Sequence, residues 1–292
     1  MYLEEINNIP VIFIHRGFQE YLKYTISCAE EHHNRVVLLG SKENRNLTKE
    51  WYSISDYTSS LFEQFTKLYM HLSPNSKWFE LVCFERYFLL LNFMKRSGIN
   101  RSIMVDSDVL LFGEIAKIYM ADEFDFGCGY DGKEELNPCV LYWNIDALEN
   151  FVIFCYELYR DRNKRRMILD IYMRRKREGK LKSEGGVSDM TLLYLWMKSS
   201  TYKYKDIFSE NLRFFIDGNY NCAKQKDIRY KMKINREVKK ILFIKNWPYV
   251  IEEKSKKRRK VVAIHCQGIS KKYVKLLYMR QAHAKRYLQL FM

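Results

Sequence analysis

Ile103-Met104-Val105-Asp106-Ser107-Asp108-Val109-Leu110-Leu111-Phe112 is an apolar run broken by two aspartates one residue apart. Side chains alternate faces along a strand, so Asp106 and Asp108 point the same way. Two carboxylates at the end of a buried strand repel each other and are costly to desolvate. A divalent cation lying between them and a second anion removes that cost, which is the chemistry of a metal-bound diphosphate. Taken alone, Asp-x-Asp is a short pattern, and its plainer reading is a strand-to-loop junction whose aspartates cap a turn. The rest of the chain decides between the two.

Just upstream, Trp78 to Lys95 has a helical pattern, with Phe79, Val82, Cys83, Tyr87, Leu90 and Leu91 spaced for burial and Gly98 as the stop. Arg86 lies within it. Ser102–Val105 then reads as a buried strand with the aspartates at its C-terminal end, where an α/β sheet binds its ligands. The chain opens in the same style. Ile9–Ile14 is a strand apolar on both faces, His15-Arg16-Gly17-Phe18 is a turn, Gln19–His32 is a helix and Arg35–Gly40 is a second buried strand. That is a β-α-β unit, whose ligand edge is formed by the His15–Phe18 turn and the Gly40–Asn44 loop. Trp51–Asp56 reads as a short third strand and Leu61–Leu72 as a helix.

Downstream, Phe124–Tyr130 and Cys139–Asn144 flank a loop that runs to Pro138, and Asn144 or Asp146 caps the next helix. Ser188 reads as the N-cap of a helix over Met190–Met197, with Asp189 in its first turn, where the helix dipole favours an anion. Thr201–Tyr230 carries no readable pattern. Val261–Ile264 is a last short strand, left by His265-Cys266-Gln267-Gly268-Ile269-Ser270-Lys271, and Tyr273–Met292 reads as a helix alternating basic with aromatic or aliphatic residues.

At 292 residues, with 47% apolar and 15% aromatic side chains, the chain builds a sizeable core, which excludes global disorder. A net charge of +15 calls for an anionic partner: nucleic acid, an anionic membrane surface or an anionic substrate. The seven cysteines are odd in number and contain no C-x-x-C pair, so buried free thiols in a reducing compartment are expected rather than disulfides or a zinc cluster. No secretory signal and no run of about 20 apolar residues is visible, which leads us to expect a cytoplasmic protein. The tract Arg160–Lys182 is densely basic, with Ile168, Leu169, Ile171, Tyr172 and Met173 interleaved. It reads equally as an amphipathic helix lying on anionic lipid or as a solvated helix face. Lys254–Lys260 reads as a charged hairpin tip or loop.

With Asp106-Ser107-Asp108 and His265-x-x-Gly268-x-x-Lys271 both in view, the sequence resembles the GT-A fold glycosyltransferases. It is most similar to the retaining branch, family 8, that includes glycogenin and the bacterial lipopolysaccharide galactosyl- and glucosyltransferases. The resemblance covers most of the chain in order: the Ile12–Phe18 strand and turn, Arg86 upstream of the metal motif, Asp106–Asp108, the Asn137–Asn144 segment, Ser188-Asp189-Met190, and His265–Lys271. Two departures stand out. The family's last element usually continues Lys-Pro-Trp, where this chain has Lys271-Lys272-Tyr273, and its Asp-Gln-Asp pattern is reduced to Asp189-Met190-Thr191.

The resemblance implies an α/β, Rossmann-like nucleotide-sugar-binding fold, with a mostly parallel central sheet between helices. The GT-A domain spans residues 1–272 with a basic helical insertion at about 160–182, and a basic, aromatic C-terminal helix covers 273–292. It implies a metal-dependent hexosyltransferase, retaining rather than inverting, that uses a nucleotide-diphosphate sugar, with a UDP-sugar as first candidate. The acceptor is a cell-surface polysaccharide or lipid-linked glycan on the inner face of the plasma membrane.

Asp106, Asp108 and His265 form a ligand set suited to Mn²⁺, and Mg²⁺ accepts the oxygens. Lys271 is the point charge for the phosphates, although Lys272 beside it could serve instead or both could face lipid, and Gly268 allows close backbone approach. The resemblance implies that the His15–Gly17–Phe18 turn and the Gly40 loop would hold the base and ribose, that Asp106 with Ser107 beside it would reach the ribose, and that Arg86 would contact the donor. Asn144 and Asp189 line the sugar side. Asp189 is electrostatic in a retaining enzyme and a general base in an inverting one. Two rivals remain: a nucleic-acid-binding protein using the basic tracts, for which no reader motif is present, and a metal-dependent nucleotidyl- or phosphotransferase on a similar sheet.

Overall fold

Val11–His15 (β1) is apolar on both faces, and such a strand is stable only inside a sheet covered on both sides. A computed structural model describes residues 9–119, 123–130, 134–181, 185–209, 214–221, 234–235, 238–252 and 255–289, and β1 lies centrally in its larger sheet. The chain continues through α1 (Tyr21–Glu31), β2 (Val36–Gly40), β3 (Glu50–Ser53), α2 (Ser60–Leu68), α3 (Lys77–Ser97), β4 (Arg101–Val105) and β5 (Val109–Leu111). Next come α4 (Ile115–Tyr119), β6 (Phe126–Tyr130), β7 (Leu136–Asn144), α5 (Ile145–Arg160), α6 (Arg162–Arg177), α7 (Asp189–Ser199) and β8 (Tyr204–Asp206). The last elements are β9 (Phe215–Asp217), β10 (Ile234–Asn235), β11 (Val238–Lys239), β12 (Ile241–Ile244), β13 (Trp247–Ile251), β14 (Arg258–His265) and α8 (Val274–Gln289).

Seven strands form the central sheet in the order β3-β2-β1-β4-β7-β6-β8. The pairs β2–β3, β1–β2, β1–β4 and β6–β8 are parallel, and β7 alone runs against its neighbours. The expected α/β class with a mostly parallel central sheet is therefore the one found. Strand alternation distributes the core. Val11 and Phe13 pack towards α1 and the second sheet, whereas Ile12 packs with Phe84, Phe88, Phe151 and Trp196 of α3, α5 and α7.

The second sheet decides the site. It runs β12-β13-β14-β5, with β9 also parallel to β14. β5 continues directly from Asp108, and β14 ends at His265. Their antiparallel register sets His265 opposite Val109, so the last strand delivers its imidazole beside the aspartates. β10 and β11 form a separate two-stranded ladder.

Several local expectations change. Phe79 is not on the buried stripe of α3: with Trp78 it sits in the first turn, and the two are 50% and 69% exposed. The inward face is carried by Phe84, Tyr87, Phe88 and Leu91. Pro138 lies inside β7 rather than at the end of a loop. The β6–β7 ladder is irregular between Gly127 and Gly129, which accommodates a residue that cannot donate a ladder hydrogen bond. The unread stretch after Thr201 supplies two edge strands, β8 and β9. Of the Lys254–Lys260 run, residues 255–257 turn between β13 and β14, and Arg258, Arg259 and Lys260 open β14. α8 packs on α1, where Tyr278 donates to Glu31 and Gln281 meets His32. Lys182, Cys222 and Lys254 lie outside the described residues. The six described cysteines are free thiols, five of them buried.

Candidate active site

β4 ends at Val105, and its ladder with β7 closes as Asp106 N–H donates to the Cys139 carbonyl. Asp106 and Asp108 therefore leave the sheet at its C-terminal edge, side by side. His265 completes the group. Its Nε2 is 3.2 Å from Asp108 Oδ1 and 3.7 Å from Asp106 Oδ2. One ligand atom from each of the three residues can be chosen so that all lie within 4.8 Å of one another. His265 Nδ1 is 2.9 Å from the Gly218 carbonyl. A carbonyl only accepts, so Nδ1 carries a proton and Nε2 is the nitrogen that faces the carboxylates; without metal it shares its own proton with Asp108, and loss of that proton frees the lone pair that ligation requires. Two carboxylate oxygens and one imidazole suit Mn²⁺, with Mg²⁺ acceptable through the oxygens, so the residues fit the ion expected of them.

Two basic side chains, Lys271 and Arg86, flank the two aspartates. Lys271 Nζ is 3.3 Å from Asp108 Oδ2, whereas the neighbouring Lys272 lies over the Tyr273 ring, so Lys271 is the lysine of the site. Arg86 pairs with Asp106 and, at 2.6 Å, with Asp189 Oδ2. Burial pushes the Asp108 carboxyl up, but His265 and Lys271 outweigh it and hold Asp108 well below the usual carboxylate range. Burial raises Asp106 against the pull of Arg86 and His265, and the net direction is upward. Burial lowers His265, and the Asp108 carboxylate more than reverses that.

This sets the sign of the metal's pH dependence. A ligand nitrogen must lose its proton to bind metal, and His265 holds its proton to a higher pH than a free imidazole. Apparent Mn²⁺ affinity is thus expected to rise by about tenfold per pH unit from the usual histidine range upward. Isothermal titration at several pH values checks this. A flat profile from pH 6 to 8 would remove His265 from the ligand set.

The first turn meets the metal motif through Ser107, whose Oγ is 3.0 Å from His15 Nδ1 and 3.4 Å from Tyr21 Oη. Thr25 Oγ1 donates to the Ser107 carbonyl at 2.9 Å. His15 Nε2 is buried and makes no hydrogen bond, and burial with the nearby Lys271 cation lowers the His15 pKa. Gly17 adopts φ +72°, a left-handed conformation suited to glycine, and its N–H donates to Ser41 Oγ while its carbonyl accepts from Asn44 Nδ2. Arg16 clasps Glu85, one residue from Arg86. Phe18 is exposed on this rim, and Gly268 also has positive φ, +59°.

Asp189 is buried at the start of α7, with Ser188 capping the helix as expected. Its oxygens accept from Arg86 Nη2, from Tyr87 Oη at 2.9 Å and from the Met190 N–H at 2.9 Å. The structure thus brings His15, Arg86, Asp106, Ser107, Asp108, Asp189, His265 and Lys271 together. Asn144 is a correction. β7 is antiparallel to β4 and pairs Asn144 with Arg101, at the opposite end of the strand from Asp106, roughly 15 Å away at 3.3 Å per residue. There Asn144 caps α5 by accepting from the Asp146 N–H. At the correct end stands Asn137, which donates to the same Gly218 carbonyl that orients His265.

Tyr87, Asn137 and Gly218 were not among the expected site residues. Tyr87 reads from the sequence as core, and helical spacing gives no sign of what its hydroxyl reaches. Tyr87→Phe is expected to cost about 1–3 kcal/mol, because the buried Asp189 carboxylate loses a donor while the ring packing survives. Urea unfolding measures it, and a loss within error would show that the hydroxyl bond is idle.

No protein-family model matches the chain, and no curated protein matches it. Three solved structures similar to it are of glycosyltransferases. An active-site mutant of LgtC is 15% identical, with 92% of this chain and 95% of that chain covered and a TM-score of 0.48. The galactosyltransferase LgtC in complex with donor and acceptor sugar analogs is 14% identical, with 93% and 96% covered and a TM-score of 0.46. Mouse xyloside xylosyltransferase 1, in its apo form, is 12% identical, with 68% and 84% covered and a TM-score of 0.45.

Proposed function

We propose that this protein is a metal-dependent glycosyltransferase that moves a hexose from a nucleotide-diphosphate sugar, with a UDP-sugar as first candidate, to a cell-surface polysaccharide or lipid-linked glycan. The observation that carries this reading is the Asp106–Asp108–His265 cluster at the C-terminal sheet edge, with His265 Nε2 turned inward and Lys271 on its rim. Asp106, Asp108 and His265 would hold Mn²⁺ or Mg²⁺, which supplies a Lewis acid against the charge growing on the departing diphosphate. Lys271 offers a further positive charge to the phosphates. The turn at His15, Gly17 and Phe18 and the Ser41–Asn44 loop bound the side for base and ribose.

Asp189 accepts from three donors, an arrangement that suits a fixed charge beside the sugar better than a base waiting for a proton. This supports retention over inversion. The same reading places the enzyme at the cytoplasmic face of the membrane, where lipid-linked acceptors are glycosylated, with the protein's positive charge as attraction.

A thermal-shift panel of UDP-, GDP- and dTDP-hexoses, each with and without Mn²⁺, tests the donor. The true donor stabilises by RT ln(1 + [L]/Kd), and only with metal. No donor stabilising under either condition would overturn the reading. Product analysis separates the nucleotidyltransferase rival, since sugar transfer releases a nucleoside diphosphate.

A further inference from the structure

Helix α6 is the most lopsided element in the molecule. Of its sixteen residues, eight are Lys or Arg and one, Asp170, is acidic. Two of the eight are used internally. Arg174 pairs with Glu134, and the buried Arg175 pairs with Glu135 at 2.8 Å and donates to the Gly186 carbonyl at 2.7 Å. Arg162, Lys164, Arg166, Lys176 and Arg177 are exposed.

Arg162, Arg166, Leu169, Met173 and Arg177 recur at intervals of three and four, so they form one stripe along the helix, opposite the buried Ile168. Leu169 and Met173 are exposed on that stripe and Met167 beside it. Like charges four apart on a helix repel, as Arg162 and Arg166 do, and an anionic surface relieves this. Phosphate alone would satisfy the arginines but gives Leu169 and Met173 nothing to bury against. A lipid headgroup layer satisfies both, since cations meet the phosphates and aliphatic side chains enter the acyl boundary.

The stripe is joined to the active site through few residues. Arg175 holds Gly186, and a Cβ on Gly186 would lie 1.8 Å from the Leu72 carbonyl, so the backbone is tightly seated there. Val187 N–H donates to that same carbonyl at 2.7 Å, and Ser188 and Asp189 follow at once. We propose that the Arg162–Arg166–Leu169–Met173–Arg177 stripe is the face by which the protein lies on an anionic lipid membrane. Docking there holds the Asp189 side of the site at a fixed height above a membrane-anchored acceptor. This second half rests on the glycosyltransferase reading, whereas the lipid contact does not.

The test uses the full chain and sedimentation with vesicles of phosphatidylcholine alone or with one quarter phosphatidylglycerol. The wild type is expected to sediment only with the anionic vesicles at low salt and to be released at high salt. Neutralising Arg162, Arg166 and Arg177 to Gln should weaken vesicle affinity by roughly fivefold per residue, about a hundredfold together. Leu169→Ser with Met173→Ser, charges intact, should also weaken it. Neither variant should change the melting temperature by more than a few degrees or the stabilisation by donor and Mn²⁺ in free solution. That last readout tests the enzymatic reading separately.

Four results would overturn the proposal. One is a wild type that ignores anionic vesicles at low salt. A second is a triple-Gln variant that sediments unchanged while Lys272, Lys275 and Arg280 to Gln abolishes binding. A third is a serine variant that binds as well as the wild type. The fourth is tighter binding to single-stranded RNA than to vesicles, lost in the triple-Gln variant.

Discussion

Asp108→Ala is expected to abolish transfer from the nucleotide sugar, lowering kcat by at least about a hundred- to a thousandfold, the scale seen when one preorganised charge-stabilising group is deleted. Asp108 is the hub of the cluster: it meets His265 at 3.2 Å and Lys271 at 3.3 Å. Without it, metal would be left with Asp106 and His265, and Asp106 is already engaged by Arg86. Mn²⁺-dependent donor stabilisation should vanish together with turnover. Loss of the His265 and Lys271 contacts costs some stability, but Asp108 lies at the sheet edge outside the hydrophobic core clusters, so the fold should survive. Far-ultraviolet circular dichroism and a cooperative melt check that. Turnover like the wild type's from a folded Asp108→Ala protein would refute the metal role.

Arg86→Met should instead damage the fold, by about 3–5 kcal/mol, the cost of breaking a buried ion pair from one side. Here one guanidinium serves two partners, Asp106 and Asp189, and its loss leaves both without their shared cation. The pH dependence identifies the cause. Burial already holds the folded-state pKa of Asp106 above its unfolded value, and removing Arg86, which pulls the other way, raises it further. An acid raised in the folded state contributes stability at low pH that is lost as pH climbs from the unfolded to the folded value. The deficit of Arg86→Met should therefore be small near pH 4 and grow towards neutrality, and Mn²⁺, a replacement cation beside Asp106, should recover part of it. Urea titrations across pH, with and without metal, measure both. A deficit that does not change with pH would point to lost packing instead.

The strand–aspartate junction was legible because two local rules converge on it, alternation along a strand and the cost of unpaired buried carboxylates. The β-α-β opening and the α3 stop at Gly98 were legible for the same reason, since each depends on neighbours within one turn or one strand. His265 entered only through its Gly-x-x-Lys context and the family resemblance, because its register opposite Val109 is a long-range fact. Asn144 failed at that level too. Its segment was placed correctly in the chain, but strand direction within a sheet is not written in an apolar run, and an antiparallel β7 carries Asn144 away from the site and brings Asn137 to it. Tyr87 was hidden differently, since a buried tyrosine at helical spacing has the same pattern whether or not its hydroxyl holds a carboxylate.

The register of β5 against β14 has a consequence for how the protein is made. Asp108 and His265 are 157 residues apart in sequence, and between them lie most of the second half of the fold. Contacts of such separation are closed late, after shorter loops have formed, because the entropy of closure must be met before the contact stabilises anything. A nascent chain emerging from the ribosome can build β1 through β4 and display both aspartates while having no third ligand. On the metal-dependent reading proposed above, tight metal capture would wait for the moment the last strand docks. Bound metal would then mark a chain that has finished folding, and a half-made one would not be sealed prematurely.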